Sequence, residues 1–194
     1  MCATTTTTDA ETSSSGLPKN IHVSSHPVLA HKITILRSST TTPSSFRSVL
    51  REVTYHLGYE ATSDLTLGPV QVSIPNGKDD QLDHTGSKLK ERVAMIPILR
   101  SGLGMVDSML ELLPNAGIHH IGMYKKNGSV PVQYYNRIPR KCESDVAYVL
   151  DPMIATAMTT LSVIGILKKV SCSTFFCVCV CERQESALHL LSCM

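Results

Sequence analysis

The hydrophobic pattern of this chain changes period several times, and each change marks an element. HPVLAHKITILR (26–37) places apolar side chains at Val28, Leu29, Ile33 and Leu36, and FRSVLREVTYHLGYEAT (46–62) places them at Phe46, Val49, Leu50, Val53 and Leu57. Steps of three and four residues are the period of an amphipathic helix, so two helices are expected here. The intervening SSTTTPSS reads as a loop, with Ser44 or Ser45 capping the second helix. VQVSI (70–74) then alternates, and PNGKDDQLDHTGSK (75–88) is dense in Gly, Asp and Asn, which fits a hairpin or exposed loop.

From Val93 the pattern becomes that of an α/β unit. VAMIPIL (93–99) is apolar without alternation, as a strand buried on both faces requires. SGLG interrupts it, and MVDSMLELLP (105–114) carries a helical stripe through Met105, Met109, Leu112 and Leu113 that Pro114 ends. IHHIGMY (118–124) reads as the next strand, VPVQYYNRI (130–138) as an arm or hairpin, and DVAYVL (145–150) as a second buried strand stopping at Asp151. The polar loop DPMIATAMTT (151–160) leads into a last helix, TLSVIGILKKV (160–170). Strands alternating with helices of this length predict a parallel α/β sheet with right-handed crossovers.

Composition narrows the setting. The chain has 194 residues, enough for one domain with a buried core. Its 42% apolar content excludes wholesale disorder, and 18 basic against 16 acidic residues leave a net charge of +2, too balanced for a nucleic-acid or polybasic membrane binder. Residues 1–20 are Thr/Ser-rich and read as a disordered tail. No run reaches the ~18 consecutive apolar residues of a membrane-spanning helix. The N-terminus lacks a secretory h-region, and Asp9 and Glu11, with no Arg before Arg37, argue against a mitochondrial leader. The expected location is therefore cytoplasmic. Of seven cysteines, five (Cys172, Cys177, Cys179, Cys181, Cys193) crowd into the end of the chain, which is no distributed disulfide framework.

The candidate chemistry lies in the loops. Open parallel sheets bind ligands beyond the carboxyl ends of their strands, so Arg100 and Asp151 should face one crevice. The loop 151–160 runs into a helix whose N–H groups and positive dipole end suit a phosphate, with Thr156, Thr159 and Thr160 adding hydroxyls. Asp151 is placed to accept from ribose hydroxyls, while Arg100 and Lys125 are placed to neutralise a second, more highly charged phosphate group. Taken singly these features have ordinary readings: a Thr cluster at a helix start is usually a cap, and an Arg after a strand is usually surface. Two nucleotide motifs are excluded. Asp107 stands where the dinucleotide fingerprint needs its third glycine, and no GxxxxGK[ST] occurs.

PILRSGLGM (97–105), GMY (122–124) and DPMIAT (151–156), in this order, resemble uracil phosphoribosyltransferase, as do HPVLAHKITILR and YEAT (59–62). The resemblance spans roughly residues 21 to 170. It implies a type I phosphoribosyltransferase-like fold, a parallel sheet flanked by helices. It also implies the reaction of uracil with phosphoribosyl pyrophosphate (PRPP) to give UMP and pyrophosphate, assisted by Mg²⁺. By the same resemblance Arg100 and Lys125 contact the pyrophosphate donor. Asp151, Pro152, Met153, Ile154, Ala155, Thr156, Ala157, Met158 and Thr159 hold its ribose 5-phosphate. Asp151 and Arg100 are the candidate catalytic residues, and no metal site built from side chains is expected. Homo-oligomers and, in some members, GTP activation are further implications. Such a transfer builds positive charge on the ribose, so positioning and cations on the leaving group should carry catalysis.

Three departures stand out. Lys125 replaces the family's usual Arg, a planar fork, with a point charge. Ala157-Met158 replaces two glycines of the phosphate loop, where a side chain forced into the left-handed region costs about 1–2 kcal/mol and Met158 is placed to occlude the phosphate. Finally, the last glycine is Gly165 and the last proline Pro152, so the family's PGxGDAGD-like uracil-binding segment is absent. Residues 171–194 read as a divergent segment, consistent with a chain that departs from the full-length enzyme near Val170 and leaves a sheet edge exposed. In it FFCVCVC has strand propensity, with Cys177, Cys179 and Cys181 on one face. Cys181, His189 and Cys193 lack the usual zinc spacing. Two other readings remain: a non-catalytic phosphoribosyltransferase-like module for ligand binding or oligomerisation, and a type I enzyme for a different base.

Overall fold

The computed structural model describes residues 21–75, 81–125, 130–139, 143–170, 174–182 and 189–193. The tail expected at 1–20 lies outside them. A short strand, β1 (Ile21–Val23), precedes helices α1 (Pro27–Arg37) and α2 (Pro43–Ala61). α2 starts earlier than expected. Its cap is Thr42, whose Oγ1 accepts from the Ser45 N–H at 3.2 Å, rather than Ser44 or Ser45. Pro43 explains the shift, because its fixed φ and missing N–H suit the first helical position.

Next come β2 (Leu67–Pro75) and β3 (Gln81–Leu89), an antiparallel hairpin that forms its own two-stranded sheet among the described residues. The main sheet is built from β4 (Val93–Leu99), followed by α3 (Leu103–Leu112), β5 (Gly117–Ile118), β6 (Ile121–Tyr124), β7 (Val132–Asn136) and β8 (Val146–Leu150). After β8 come β9 (Met153–Ile154), α4 (Met158–Leu167), β10 (Thr174–Val178), β11 (Cys181–Glu182) and β12 (His189–Cys193). The strand order is β1-β12-β10-β8-β4-β6-β7, with β5 beside β4. Neighbours β10, β8, β4 and β6 run parallel, as the α/β reading requires. IHHIGMY forms two short strands instead of one, and VPVQYYNRI folds back antiparallel on β6 as a hairpin.

Alternation along the two central strands divides the core. Met95, Tyr148 and Leu150 face one side and pack with α1, α2 and α3 through Leu29, Val53, Leu57, Met105 and Met109. Ala94, Ile96, Ile98, Ala147 and Val149 face the other side and pack with Val163 and Leu167 of α4. The result is three layers, helix on sheet on helix. The Tyr148 ring stacks on Phe176 at 5.5 Å, and its hydroxyl donates to the Ala61 carbonyl at 3.1 Å, satisfying a helix-end acceptor.

The segment after 170 is part of the sheet. β10 pairs with β8 on one side and β12 on the other, and β12 is covered by β1. The sheet edge expected beyond the last crossover is therefore occupied, because FFCV has the β-branched and aromatic character that a pairing strand needs. Cys177 and Cys179 are buried, but β10 ends at Val178 and Val178 and Val180 are buried with them, so FFCVCVC is not the single alternating strand expected. The side chains of Cys181, His189 and Cys193 lie outside what is described. No helix among the described residues is long and apolar enough to cross a membrane.

Candidate active site

The site lies where β4, β6 and β8 end. β4 finishes in a cis peptide between Leu99 and Arg100 and turns through Ser101 and Gly102 into α3. Gly102 is required by space. A Cβ there would overlap the Leu150 carbonyl oxygen and lie 2.7 Å from the Ile98 nitrogen, both rigid backbone. The turn can thus lie directly on the end of β8. Arg100 is exposed at this edge, and the Ser101 hydroxyl reaches across to donate to Asp151 Oδ1 at 3.2 Å.

Asp151 follows β8 immediately and is 7% exposed. Its N–H donates to the Val178 carbonyl at 3.2 Å, which ties it to the neighbouring strand. Loss of hydration pushes its carboxyl above the ordinary range. The Met153 N–H and the Ser101 hydroxyl, both donating to Oδ1, oppose that rise. A buried carboxylate at a strand end, with no ion pair among the described residues, is costly to keep and suits a ligand that brings hydroxyl donors.

The loop after Asp151 is held at its start and open in its middle. The Val180 N–H donates to the Pro152 carbonyl at 3.2 Å, and β9 pairs in parallel with β11. Ile154 is buried, while Met153, Ala155 and Thr156 are exposed. Lys125, just past the end of β6, donates through Nζ to Thr156 Oγ1 at 2.9 Å. Ala157 has φ 54°, inside the left-handed region where the absent glycine was expected to matter, and it begins α4 with no side-chain cap. The first N–H groups of α4 therefore lack a capping side chain, and the helix dipole adds to their attraction for an anion. Met158 is 40% exposed.

The structure brings together Arg100, Lys125, Asp151 and the loop 152–159. It differs from the sequence reading in two respects. Thr160 is buried at 3% exposure in the core face of α4, so its hydroxyl is not part of the loop surface. Lys125 contacts Thr156, so it stands beside the 151–160 loop itself. Ser101 was missed, because a sequence shows that it follows Arg100 but not which way the turn aims it. No group of three or more His, Cys, Asp or Glu residues able to hold a metal ion exists among the described residues. Asp151 is a single carboxylate, with one oxygen engaged by Ser101, and does not make a metal cage.

Comparison with known proteins gives concordant matches. The family model described as uracil phosphoribosyltransferase matches residues 23–193, running past Val170 through the segment that holds β10 and β12. The chain is 41% identical to a uracil phosphoribosyltransferase of Roseiflexus sp. (strain RS-1) over 172 residues, 87% of this chain and 80% of that protein. It is 37% identical to the uracil phosphoribosyltransferase of Streptococcus uberis (strain ATCC BAA-854 / 0140J) over 169 residues, 87% of this chain and 79% of that one. The solved structure of the AQ2163 protein from Aquifex aeolicus superposes with a TM-score of 0.70 at 30% identity, covering 80% of this chain and 73% of that one.

Two substitutions test the site's physics without any ligand. The native Asp151 carboxyl holds its proton more readily than the unfolded one. Its ionised form therefore costs stability in full above the native pKa, and the cost falls away as pH drops from there to below the unfolded pKa. Asp151→Asn is expected to melt higher than wild type at neutral pH and to lose that advantage in acid. Circular-dichroism melting across pH checks this, and equal melting temperatures at neutral pH contradict it. Ala157→Gly relieves a left-handed alanine and should stabilise by about 1 kcal/mol, raising the melting temperature about 2–4 °C. A lower melting temperature would show that the φ of this residue is not strained.

Proposed function

The chain belongs to the uracil phosphoribosyltransferase family, and from that premise we propose that it transfers the phosphoribosyl group of PRPP to uracil, giving UMP and pyrophosphate in pyrimidine salvage. The observation that carries the reading is the meeting of Asp151, the uncapped start of α4 and Lys125 at the ends of β8 and β6, the parallel strands on either side of β4.

In the transfer, the ribose C1–O bond to pyrophosphate breaks and its electron pair leaves with the pyrophosphate. A C1–N bond to uracil forms, and the proton on that ring nitrogen passes to water or to the departing pyrophosphate. Positive charge grows on the ribose on the way. The N–H groups of residues 155–157 and of the first turn of α4 (Met158, Thr159) hold the 5-phosphate, with Pro152, Met153 and Ile154 shaping the loop that presents them. Asp151 Oδ2 accepts from the ribose hydroxyls and Arg100 neutralises the departing pyrophosphate. Lys125, bonded to Thr156, links the two anionic ends of the donor. No side-chain cage for a metal ion exists among the described residues, so Mg²⁺ would be held chiefly by the donor's phosphate oxygens and would supply neutralisation of the charge on the leaving pyrophosphate.

The proposal extends to a homo-oligomer in the cytoplasm. Exposed Leu67, Val72, Ile74 and Leu82 on the β2–β3 hairpin give an apolar arm suited to a second copy. GTP as an activator rests on the family resemblance alone. A second reading, a non-catalytic module that binds a phosphorylated ligand, is favoured by one observation: a left-handed alanine and a partly exposed methionine stand at the phosphate cradle.

The deciding experiment is UMP formation by the purified full chain from labelled uracil, PRPP and Mg²⁺. Product is expected only with all three present, and Arg100→Ala should reduce kcat about 100-fold or more. A folded chain that binds PRPP and forms no UMP would replace the enzyme with the binding module.

A further inference from the structure

The transfer uses Asp151, and its carboxylate must be oriented to do so. Both described hydrogen bonds to that carboxylate fall on Oδ1: Ser101 Oγ at 3.2 Å and the Met153 N–H at 3.5 Å. Met153 belongs to the loop that Asp151 itself begins, so among the described residues Ser101 is the side chain that holds this carboxylate from outside its own loop. A carboxylate otherwise rotates broadly about its last torsion. We propose that Ser101 is a positioning residue for the phosphoribosyl transfer, its hydroxyl fixing Asp151 Oδ1 so that Oδ2 is presented to the ribose hydroxyls of the donor.

The placement is rigid on both sides. Gly102 lies against the Leu150 carbonyl and donates its N–H to the Ile98 carbonyl at 2.9 Å. Successive turn bonds follow, Leu103 N–H to Arg100 O and Gly104 N–H to Ser101 O, each at 3.2 Å. The backbone of Ser101 is therefore held one residue from the close contact. Across from it, Asp151 is fixed by its bond to Val178 and by burial. A hydroxyl is also the right kind of donor. It orients the carboxylate and favours its ionised form without cancelling the charge, as Lys or Arg in that place would. The Coulombic attraction of Asp151 for a developing positive charge on the ribose is thereby retained.

This inference deepens the transferase reading and rests on it, so its test has one arm that needs turnover and one that does not. In steady-state kinetics Ser101→Ala is expected to raise KM for PRPP about three- to tenfold, to lower kcat less, and to move the acid limb of kcat/KM to higher pH. Ser101→Thr, which restores the hydroxyl, is expected to recover both. In the second arm the Asp151 carboxyl is titrated by NMR in chain labelled with ¹³C-aspartate. Its midpoint should rise by about half a pH unit in Ser101→Ala and return in Ser101→Thr. A Ser101→Ala protein that folds as wild type, with unchanged KM for PRPP, acid limb and Asp151 titration, overturns the proposal. If Ser101→Ala does not fold, Ser101→Cys, nearly isosteric with a weak donor, takes its place with the same expected direction and the same overturning result. Absence of UMP formation in every variant counts against the transferase reading, while the NMR titration still decides whether Ser101 governs Asp151.

Discussion

Everything at the carboxyl edge of the sheet depends on Gly102 lying against the last carbonyl of β8. With any side chain at 102 the β4–α3 turn would be lifted off the strand end, because the atoms in its way are the Leu150 oxygen and the Ile98 backbone. The close approach does more than pack two elements. It places Arg100 at the rim and Ser101 over Asp151, turning two strand ends into one site. The three-layer core fixes those strand ends in turn. Residues of β4 and β8 alternate between the α1–α3 face and the α4 face, so neither strand can slip by one residue without reversing both faces.

Much of this was legible in the sequence for identifiable reasons. VAMIPIL and VAYVL lack polar alternation because both faces of their strands are covered, whereas a strand with one face in water would carry a polar residue at every second position. The position of Asp151 could be read because a strand that ends in an acid at the carboxyl edge of a parallel sheet meets the ligand crevice. Other features depend on geometry that a sequence does not encode. The contacts of Ser101 and Lys125 follow from the aim of a turn and of a strand end. Thr160 faces the core because α4 starts at Met158, which sets the phase of its faces. The cap of α2 moved to Thr42 because Pro43 outranks its serine neighbours as a first helical residue. The edge role of the last strands depended on long-range pairing with β8 and β1.

The site keeps two costs that the rest of the fold sustains. Asp151 is buried with its pKa raised, and Ala157 occupies a conformation suited to glycine. Neither improves packing, and each stands where an anionic sugar would gain from it: one as an acceptor for hydroxyls, the other by directing the start of α4 toward a phosphate. Strain and buried charge concentrated at one end of a sheet are the marks of a binding site rather than of a structural edge.

The central claim is that the edge formed by Arg100, Asp151 and the start of α4 binds a phosphoribosyl diphosphate. Isothermal titration of PRPP with Mg²⁺ into the full chain measures this directly. The account predicts saturable heat from one site per chain, abolished or strongly weakened in Asp151→Asn and in Arg100→Ala. Absence of heat with the folded wild-type chain, or binding that both variants leave unchanged, would contradict it.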